Sequence, residues 1–250
     1  MAIPISSQVD PCVRRGERFL EMNIDLLDIS GRSFQAIGWV FLPFLLTPLL
    51  CLFFPKSKFI AGFQKNLSRT IDGFNLLVGE TVKWLLPALV VTVAFGVIAL
   101  SIFGQAWTKY DESATYFHAT VILLGSAATL LAGQHVRVDI FHSKMQPKSK
   151  ALVDFIGFYA LLIPFCIILL WNAQSFVGLS WVSLEGSAES DGIRGVFILK
   201  TFVSIFAVMM LAQGLSIAGR AALLIGSRNT DNSPGEVEEP FEIEHLESGL

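Results

Sequence analysis

Few strongly polar side chains lie inside the apolar stretches of this chain, and those few limit the chemistry that is possible there. His118, Asp154, Lys200 and Gln213 fall within or at the edge of such stretches. Polar groups at membrane depth commonly mark ion pathways, proton relays or ligand sites. A relay needs several polar groups at matched depths, but these four residues are scattered along the chain. Haem ligation needs two histidines that face each other, and His118 is the only histidine among the four. The sequence also has no glycine-rich phosphate loop, nucleophile motif or metal-ligand spacing. It therefore predicts neither an enzyme nor a complete carrier, with no catalytic residues, cofactor or metal.

Three of these side chains also have structural interpretations. Lys200 can extend toward water, or it can pair with Glu185 or Glu189 of the preceding loop. Gln213 can form one hydrogen bond between helices, which contributes ~1 kcal/mol. We interpret His118 as a contact between helices rather than a ligand.

One compact group of ionisable residues follows the third apolar stretch, in the sequence GQHVRVDIF (133–141). His135, Arg137 and Asp139 alternate with apolar residues, so they share one side of an extended segment. An arginine–aspartate pair beside a membrane surface can serve as a docking point or as a brace for the loop. From the physical chemistry alone, the brace is the favoured interpretation.

The composition identifies the elements that must position these residues. Hydrophobic residues make up 53% of the 250 and charged residues only 16%, against ~25% charged in soluble domains. A membrane-spanning helix needs ~20 mostly apolar residues. Stretches without any Asp, Glu, Lys or Arg cover 33–55, 84–103, 114–134, 155–171 and 201–219. The sequence therefore predicts an all-α membrane protein with several spans.

The distribution of basic residues predicts how the spans are oriented. We place four spanning segments at about 83–104, 114–134, 151–172 and 195–222. Basic residues concentrate in the loops 55–83 and 135–150, while the loops 105–113 and 173–194 have one each. The positive-inside rule then puts both basic loops and the C-terminus in the cytoplasm. The three cysteines, Cys12, Cys51 and Cys166, imply no disulfide framework.

The rest of the chain divides into four parts. Residues 1–32 form a polar N-terminal segment, and 33–55 an extra apolar segment that we expect to cross the membrane. A re-entrant course is the alternative, because Pro43 and Pro48 lie within it. Helical spacing of apolar residues in 56–82 predicts an amphipathic helix lying on the membrane surface; a helix packed on a soluble partner is the alternative. Residues 227–250 form an acidic tail whose composition predicts disorder. Without this tail the balance is basic, which suits contact with lipid headgroups and gives no nucleic-acid footprint.

Several motifs, taken in order, resemble the small membrane subunit of tripartite ATP-independent periplasmic (TRAP) transporters. They are IDGFNLLVG (71–79), Glu112, HVRVDIF (135–141), SKMQPKSKALVD (143–154), Trp181 with Glu185 and Ser187, Ile198-Leu199-Lys200, and Gln213-Gly214. The resemblance covers about 67–225. The four spanning segments within it define a four-helix domain, residues 83–226. The N-terminal 66 residues and the acidic tail depart from the usual four-span form.

The resemblance implies a function that the composition does not indicate. In such transporters a periplasmic binding protein delivers an organic anion to a large membrane subunit, which moves it inward at the expense of the sodium gradient. The small subunit scaffolds the large one. The longer form is similar to members grouped with 2-oxoacid, mannitol or chloroaromatic substrates. The expected substrate is an organic anion of the carboxylate or 2-oxoacid class. A free-standing channel or carrier, or the membrane anchor of a redox enzyme, are the alternatives from other classes.

The resemblance also implies roles for individual residues. Glu112, Trp181, Glu185 and Lys200 are expected to organise the periplasmic face of the complex. His135, Arg137 and Asp139 are expected to fix the cytoplasmic end of the bundle and the loop that follows. Gln213 is a further candidate for the interface with a partner subunit. The implied partners are the large membrane subunit, the periplasmic binding protein and membrane lipids.

Overall fold

All regular structure that the computed structural model describes, in residues 43–53, 57–133 and 145–226, is helical. The helices are α1 (Pro43–Phe53), α2 (Lys58–Val82), α3 (Leu85–Ile98), α4 (Thr108–Leu131), α5 (Pro147–Gly157), α6 (Ile163–Ser183) and α7 (Val196–Gly226). A π-helical turn extends α3 through Ala99–Phe103, and a second, Phe158–Leu162, joins α5 to α6. Four helical stretches of this part are long and apolar enough to span a membrane: Lys58–Phe103, Thr108–Leu131, Pro147–Ser183 and Val196–Gly226. The predicted fold class is confirmed.

Two helices are longer than the charge-free stretches predict. Helix α4 begins at Thr108 rather than near 114, and α6 continues to Ser183 rather than ending near 172. Hydropathy locates the part of a helix that suits hydrocarbon, whereas the backbone hydrogen bonds continue into the headgroup zone. The α6–α7 loop is consequently residues 184–195, much shorter than the predicted 173–194.

Prolines explain where the helices break or widen. Pro87 lacks an N–H and its ring crowds the carbonyl four residues earlier, so α2 and α3 are separated at Lys83 and Trp84. Pro164 has the same effect on the preceding turn, which widens into the π-helix before α6. In α1, the Thr47 hydroxyl donates to the Phe44 carbonyl at 2.7 Å. This carbonyl is the one that Pro48 cannot bond.

Helix α7 forms the centre of the bundle and packs against α2, α4, α5 and α6. Close packing in a membrane favours small residues at the contact. Its buried face has Gly214, Gly219 and several alanines. A Cβ on Gly214 would lie 2.3 Å from Leu162 Cδ2, so the π-helical turn rests directly on the α7 backbone.

Helix α3 is peripheral. It packs mainly on α4, and it has no buried residue between Leu85 and Ile98. The polar segment 1–32, residues 33–42 of the first apolar segment, the loop containing His135, Arg137 and Asp139, and the acidic tail lie outside the described residues.

Candidate functional site

The α6–α7 loop is attached to both of its flanking helices through Glu185. Lys200 Nζ, on α7, lies 2.5 Å from Glu185 Oε2, and the Ser180 hydroxyl, on α6, donates to the same oxygen at 2.7 Å. The Glu185 N–H donates to the Ser180 carbonyl at 3.0 Å, which closes the C-terminus of α6. The side-chain hydrogen bonds from Lys200 and then Ser180 lower the pKa of Glu185 from its ordinary value of 4.5. The carboxylate is therefore ionised at neutral pH.

A second carboxylate attaches the same loop to α4. Glu112 Oε2 accepts the Ile193 N–H at 2.5 Å, and Glu112 Oε1 accepts the Ser187 hydroxyl. Beside it, Lys109 Nζ pairs with Asp191 Oδ1 at 2.7 Å, although both side chains are largely exposed. These contacts place the ends of the α3–α4 and α6–α7 connections at the same end of the bundle.

Aromatic rings complete this end. The Trp181 indole N–H donates to the Thr201 hydroxyl at 2.9 Å, and its ring meets Phe197 edge-on with centroids 4.8 Å apart. Lys200 Nζ lies 4.1 Å from the centroid of the Phe176 ring, a cation–π geometry. The lysine therefore has both an anion and an aromatic face, and it stays mostly buried.

A polar cluster that the sequence analysis did not assemble joins α2 to α7 in the other half of the bundle. The Asp72 carboxylate forms an ion pair with Arg220, and it accepts the Gln213 amide at 2.9 Å and the Ser216 hydroxyl at 2.8 Å. Asn75 donates to Gln213 Oε1 at 2.7 Å. We call these five residues the α2–α7 clasp.

The clasp continues along the N-terminal half of α2. Gln64 Nε2 donates to the Ser68 hydroxyl at 3.4 Å, which in turn donates to the Ser216 carbonyl at 3.4 Å. Gln64 and Ser68 are buried, and Gln64 packs on Gly219, where a Cβ would lie 1.8 Å from Gln64 Nε2. The polar face of α2 is thus turned into the bundle.

A signal for the clasp does exist in the sequence. Residues 64, 68, 72 and 75 follow one helical face, and residues 213, 216 and 220 follow another. Periodicity shows which residues share a face but not which faces meet. The expectation for Gln213 was a single hydrogen bond; it makes two, one as donor and one as acceptor.

The structure brings four of the predicted residues to one end of the bundle. Glu112, Trp181, Glu185 and Lys200 all contact the α6–α7 loop or the first turns of α7, and Lys200 pairs with Glu185 rather than Glu189. His118 is exposed on α4.

In both clusters, the charged and polar side chains hold neighbouring helices and loops together. Both oxygens of Asp72 and of Glu112, and one oxygen of Glu185, accept donors from a neighbouring helix or loop. These carboxylates therefore have little remaining capacity to bind an ion. No group of three His, Cys, Asp or Glu side chains suited to a metal occurs in residues 43–53, 57–133 and 145–226.

Comparison with known proteins gives one match. The family model for the DctQ component of tripartite ATP-independent periplasmic transporters matches residues 89–224, more than half of the chain. No curated protein and no solved structure matches it significantly.

Proposed function

Because the chain belongs to the DctQ family of TRAP transporter components, and is therefore a multi-pass inner-membrane subunit, we propose that it scaffolds the large membrane subunit of such a transporter. TRAP systems combine a small membrane subunit with a large one and a periplasmic binding protein. In the proposed function, the sodium gradient drives uptake of an organic anion of the carboxylate or 2-oxoacid class. The small subunit itself catalyses no reaction.

The observation that carries this proposal is that the carboxylates of the two clusters fix the helices and the α6–α7 loop of the bundle itself. Asp72, Glu112 and Glu185 each accept from donors on other elements. A subunit that carried the coupling ion would need open carboxylate oxygens inside the bundle. A scaffold instead needs helices that are attached to one another and apolar outer faces. The contacts of Asp72 and Glu185 attach the helices, and the exposed residues of α3 are apolar.

We propose that the end formed by Glu112, Trp181, Glu185 and Lys200 is periplasmic. The positive-inside rule supports this orientation, since the basic loops lie at the other end of the spans. There the braced α6–α7 loop helps to present a fixed surface to the periplasmic binding protein. On the cytoplasmic side, His135, Arg137 and Asp139 fix the loop and dock it on the large subunit.

We further propose that one face of α4 contacts the large subunit. Thr115, His118, Ile122 and Thr129 are exposed at successive helical steps, and a Cβ on Gly125 between them would meet nothing within 4 Å. Small and polar residues favour contacts between membrane helices over contact with lipid. The exposed residues of α3 are by contrast mainly Val, Leu, Ile and Phe, which suit lipid.

Helix α2 is proposed to lie along the cytoplasmic surface of the membrane. Its buried polar face meets α7, and two exposed flanks remain. One flank is apolar and includes Phe59 at 84% exposure. The opposite flank presents Lys58, Lys65 and Arg69. An in-plane helix places such flanks against acyl chains and headgroups. We propose that the apolar segment 33–55 before it crosses the membrane.

Co-purification with the large subunit tests the scaffold. Gly125→Leu fills the open position on α4 and should reduce both the recovery of the large subunit and transport. Gly157→Leu is the matched control, because a Cβ there also meets nothing within 4 Å but lies on α5. Equal recovery with both variants would contradict the proposed face.

Two further outcomes test the rest of the proposal. Arg137→Ala and Asp139→Ala should weaken assembly, and wild-type assembly and transport in both would exclude the docking role of this loop. Proteoliposomes containing this chain alone should not accumulate an organic anion. Transport by the isolated chain would replace the scaffold with a free-standing carrier.

A further inference from the structure

A groove lies between α3 and α4 at their connected ends, at the same end of the bundle as the α6–α7 loop, and no residue of that loop lines it. Its volume is about 220 Å³. Its wall on the α3 side is apolar, while the α4 side contributes aromatic and carboxyl groups. The residues that define it are Val93, Gly96, Val97, Trp107, Tyr110 and Asp111.

The carboxylate of Asp111 is the one charged group in the lining of this groove. A Cβ built on Gly96 would lie 3.6 Å from Asp111 Oδ1, so the absence of a side chain at Gly96 leaves room beside the carboxylate. The nearest cation in sequence, Lys109, pairs with Asp191. Within the described residues, neither a hydrogen bond nor an ion pair reaches the Asp111 side chain.

Aromatic rings border the groove. Phe95 stacks on Trp107 with centroids 6.1 Å apart, and Tyr110 packs against both at 5.1 and 5.8 Å. All three remain partly exposed. Tryptophan and tyrosine prefer the headgroup zone of a bilayer, so the carboxylate lies at headgroup depth. Below it, exposed Val93 and Val97 continue the apolar wall toward the bilayer centre.

We propose that this groove binds the ammonium headgroup of a zwitterionic aminophospholipid, phosphatidylethanolamine, with its acyl chains along α3. A carboxylate without a cation complements an ammonium group and repels an anionic headgroup. The aromatic faces beside it add cation–π attraction. A primary ammonium donates hydrogen bonds to the carboxylate, whereas a choline group cannot. The proposed site rests on the position of the chain in a membrane. The proposed orientation decides only that the bound lipid belongs to the outer leaflet.

Lipid binding to the purified full-length chain tests the site. Phosphatidylethanolamine, phosphatidylcholine and phosphatidylglycerol with identical acyl chains are titrated separately, with bound lipid counted by native mass spectrometry. Phosphatidylethanolamine should bind most tightly. Asp111→Asn should weaken its binding about tenfold, as expected from the loss of one charge-assisted hydrogen bond. Gly96→Leu should do the same by filling the groove without changing charge.

Glu189→Gln is the matched control, since it removes an exposed carboxylate at the same end of the bundle and should leave binding unchanged. Unchanged phosphatidylethanolamine binding in both groove variants would overturn the site. So would equally tight binding of phosphatidylcholine or phosphatidylglycerol by the wild type. If the variants instead lose the large subunit while lipid binding stays intact, the groove is a protein contact and the lipid proposal fails. If the scaffold proposal is wrong, these lipid titrations can still be interpreted, because they measure binding to this chain alone.

Discussion

Replacing Asp72 by alanine tests whether the α2–α7 clasp holds the amphipathic helix to the bundle. The carboxylate accepts from Gln213, Ser216 and Arg220, all on α7. Its removal leaves the Gln213 amide and the Ser216 hydroxyl without this acceptor. It also leaves the Arg220 cation without its ion pair, although Arg220 Nη1 still donates to the Ser216 hydroxyl at 3.1 Å. We expect the variant to lose stability, because few other polar contacts join these two helices among the described residues.

The magnitude follows from the two kinds of contact. Hydrogen bonds between membrane helices average ~0.6 kcal/mol, so the two neutral donors together contribute ~1 kcal/mol. Breaking a fully buried ion pair costs ~3–5 kcal/mol, and an exposed pair contributes less than ~1 kcal/mol. The Asp72 and Arg220 side chains are 19% and 34% exposed, which is between these limits. We therefore expect a loss of about 2–3 kcal/mol, of which about 1–2 kcal/mol is the pair.

Reversible unfolding in mixed micelles with a rising mole fraction of SDS, followed by circular dichroism, measures this loss. A double-mutant cycle with Arg220→Met isolates the energy of the pair. Glu80→Ala is the control. Glu80 is also on α2, but it pairs with Lys83 just beyond the end of that helix, and the two side chains are 39% and 52% exposed. Its effect should stay within about 0.5 kcal/mol. If Asp72→Ala costs no more than Glu80→Ala, or if the cycle gives no coupling, the clasp does not hold α2.

Three further predictions concern packing, charge and backbone. Gly214→Ala places a Cβ 2.3 Å from Leu162 Cδ2 and should cost about 1–3 kcal/mol in the same assay, whereas Gly157→Ala, in open space, should cost nothing; equal effects would contradict the close approach. The lowered pKa of Glu185 stabilises the fold above its ordinary value of 4.5, so the stability difference from Glu185→Gln should persist at neutral pH and disappear as acidification protonates the folded carboxylate. A difference that survives strong acid would exclude the charge as its source. Leu184 ends α6 with φ of 45°, so Leu184→Gly should raise the melting temperature through a gain of up to about 1 kcal/mol; a decrease would mean that the leucine side chain makes a stabilising contact.

Much of the fold was predictable because hydrophobicity reports directly on the solvent of each segment. The four spanning stretches and the amphipathic periodicity of α2 are visible in single windows of sequence. Helix ends were less predictable: α6 continues past its apolar stretch to Ser183, where Leu184 adopts the left-handed conformation. That end depends on Glu185, which pairs with Lys200 and accepts a hydrogen bond from Ser180. Hydropathy carries no information about such contacts between particular side chains.

The candidate sites divide in the same way. Lys200 near Glu185 could be anticipated because a short loop joins them. Asp72 and Gln213 could not be paired in advance, since 140 residues separate them and each belongs to a polar face that other helices could have met equally well.

The sequence by itself determined that this chain is a helical membrane protein and, through its ordered motifs, the family to which it belongs. Both conclusions are reached segment by segment. Each span has its own free energy of transfer into the membrane, and each motif can be recognised without knowing which other segments it contacts. Three further features became visible once the helices were packed: the polar face of α2 turns inward onto α7, Glu112 and Glu185 brace one loop, and Asp111 stays open beside Gly96. The physical reason is that these outcomes depend on which helix faces meet, and that is settled by packing of the whole bundle around the small residues of α7.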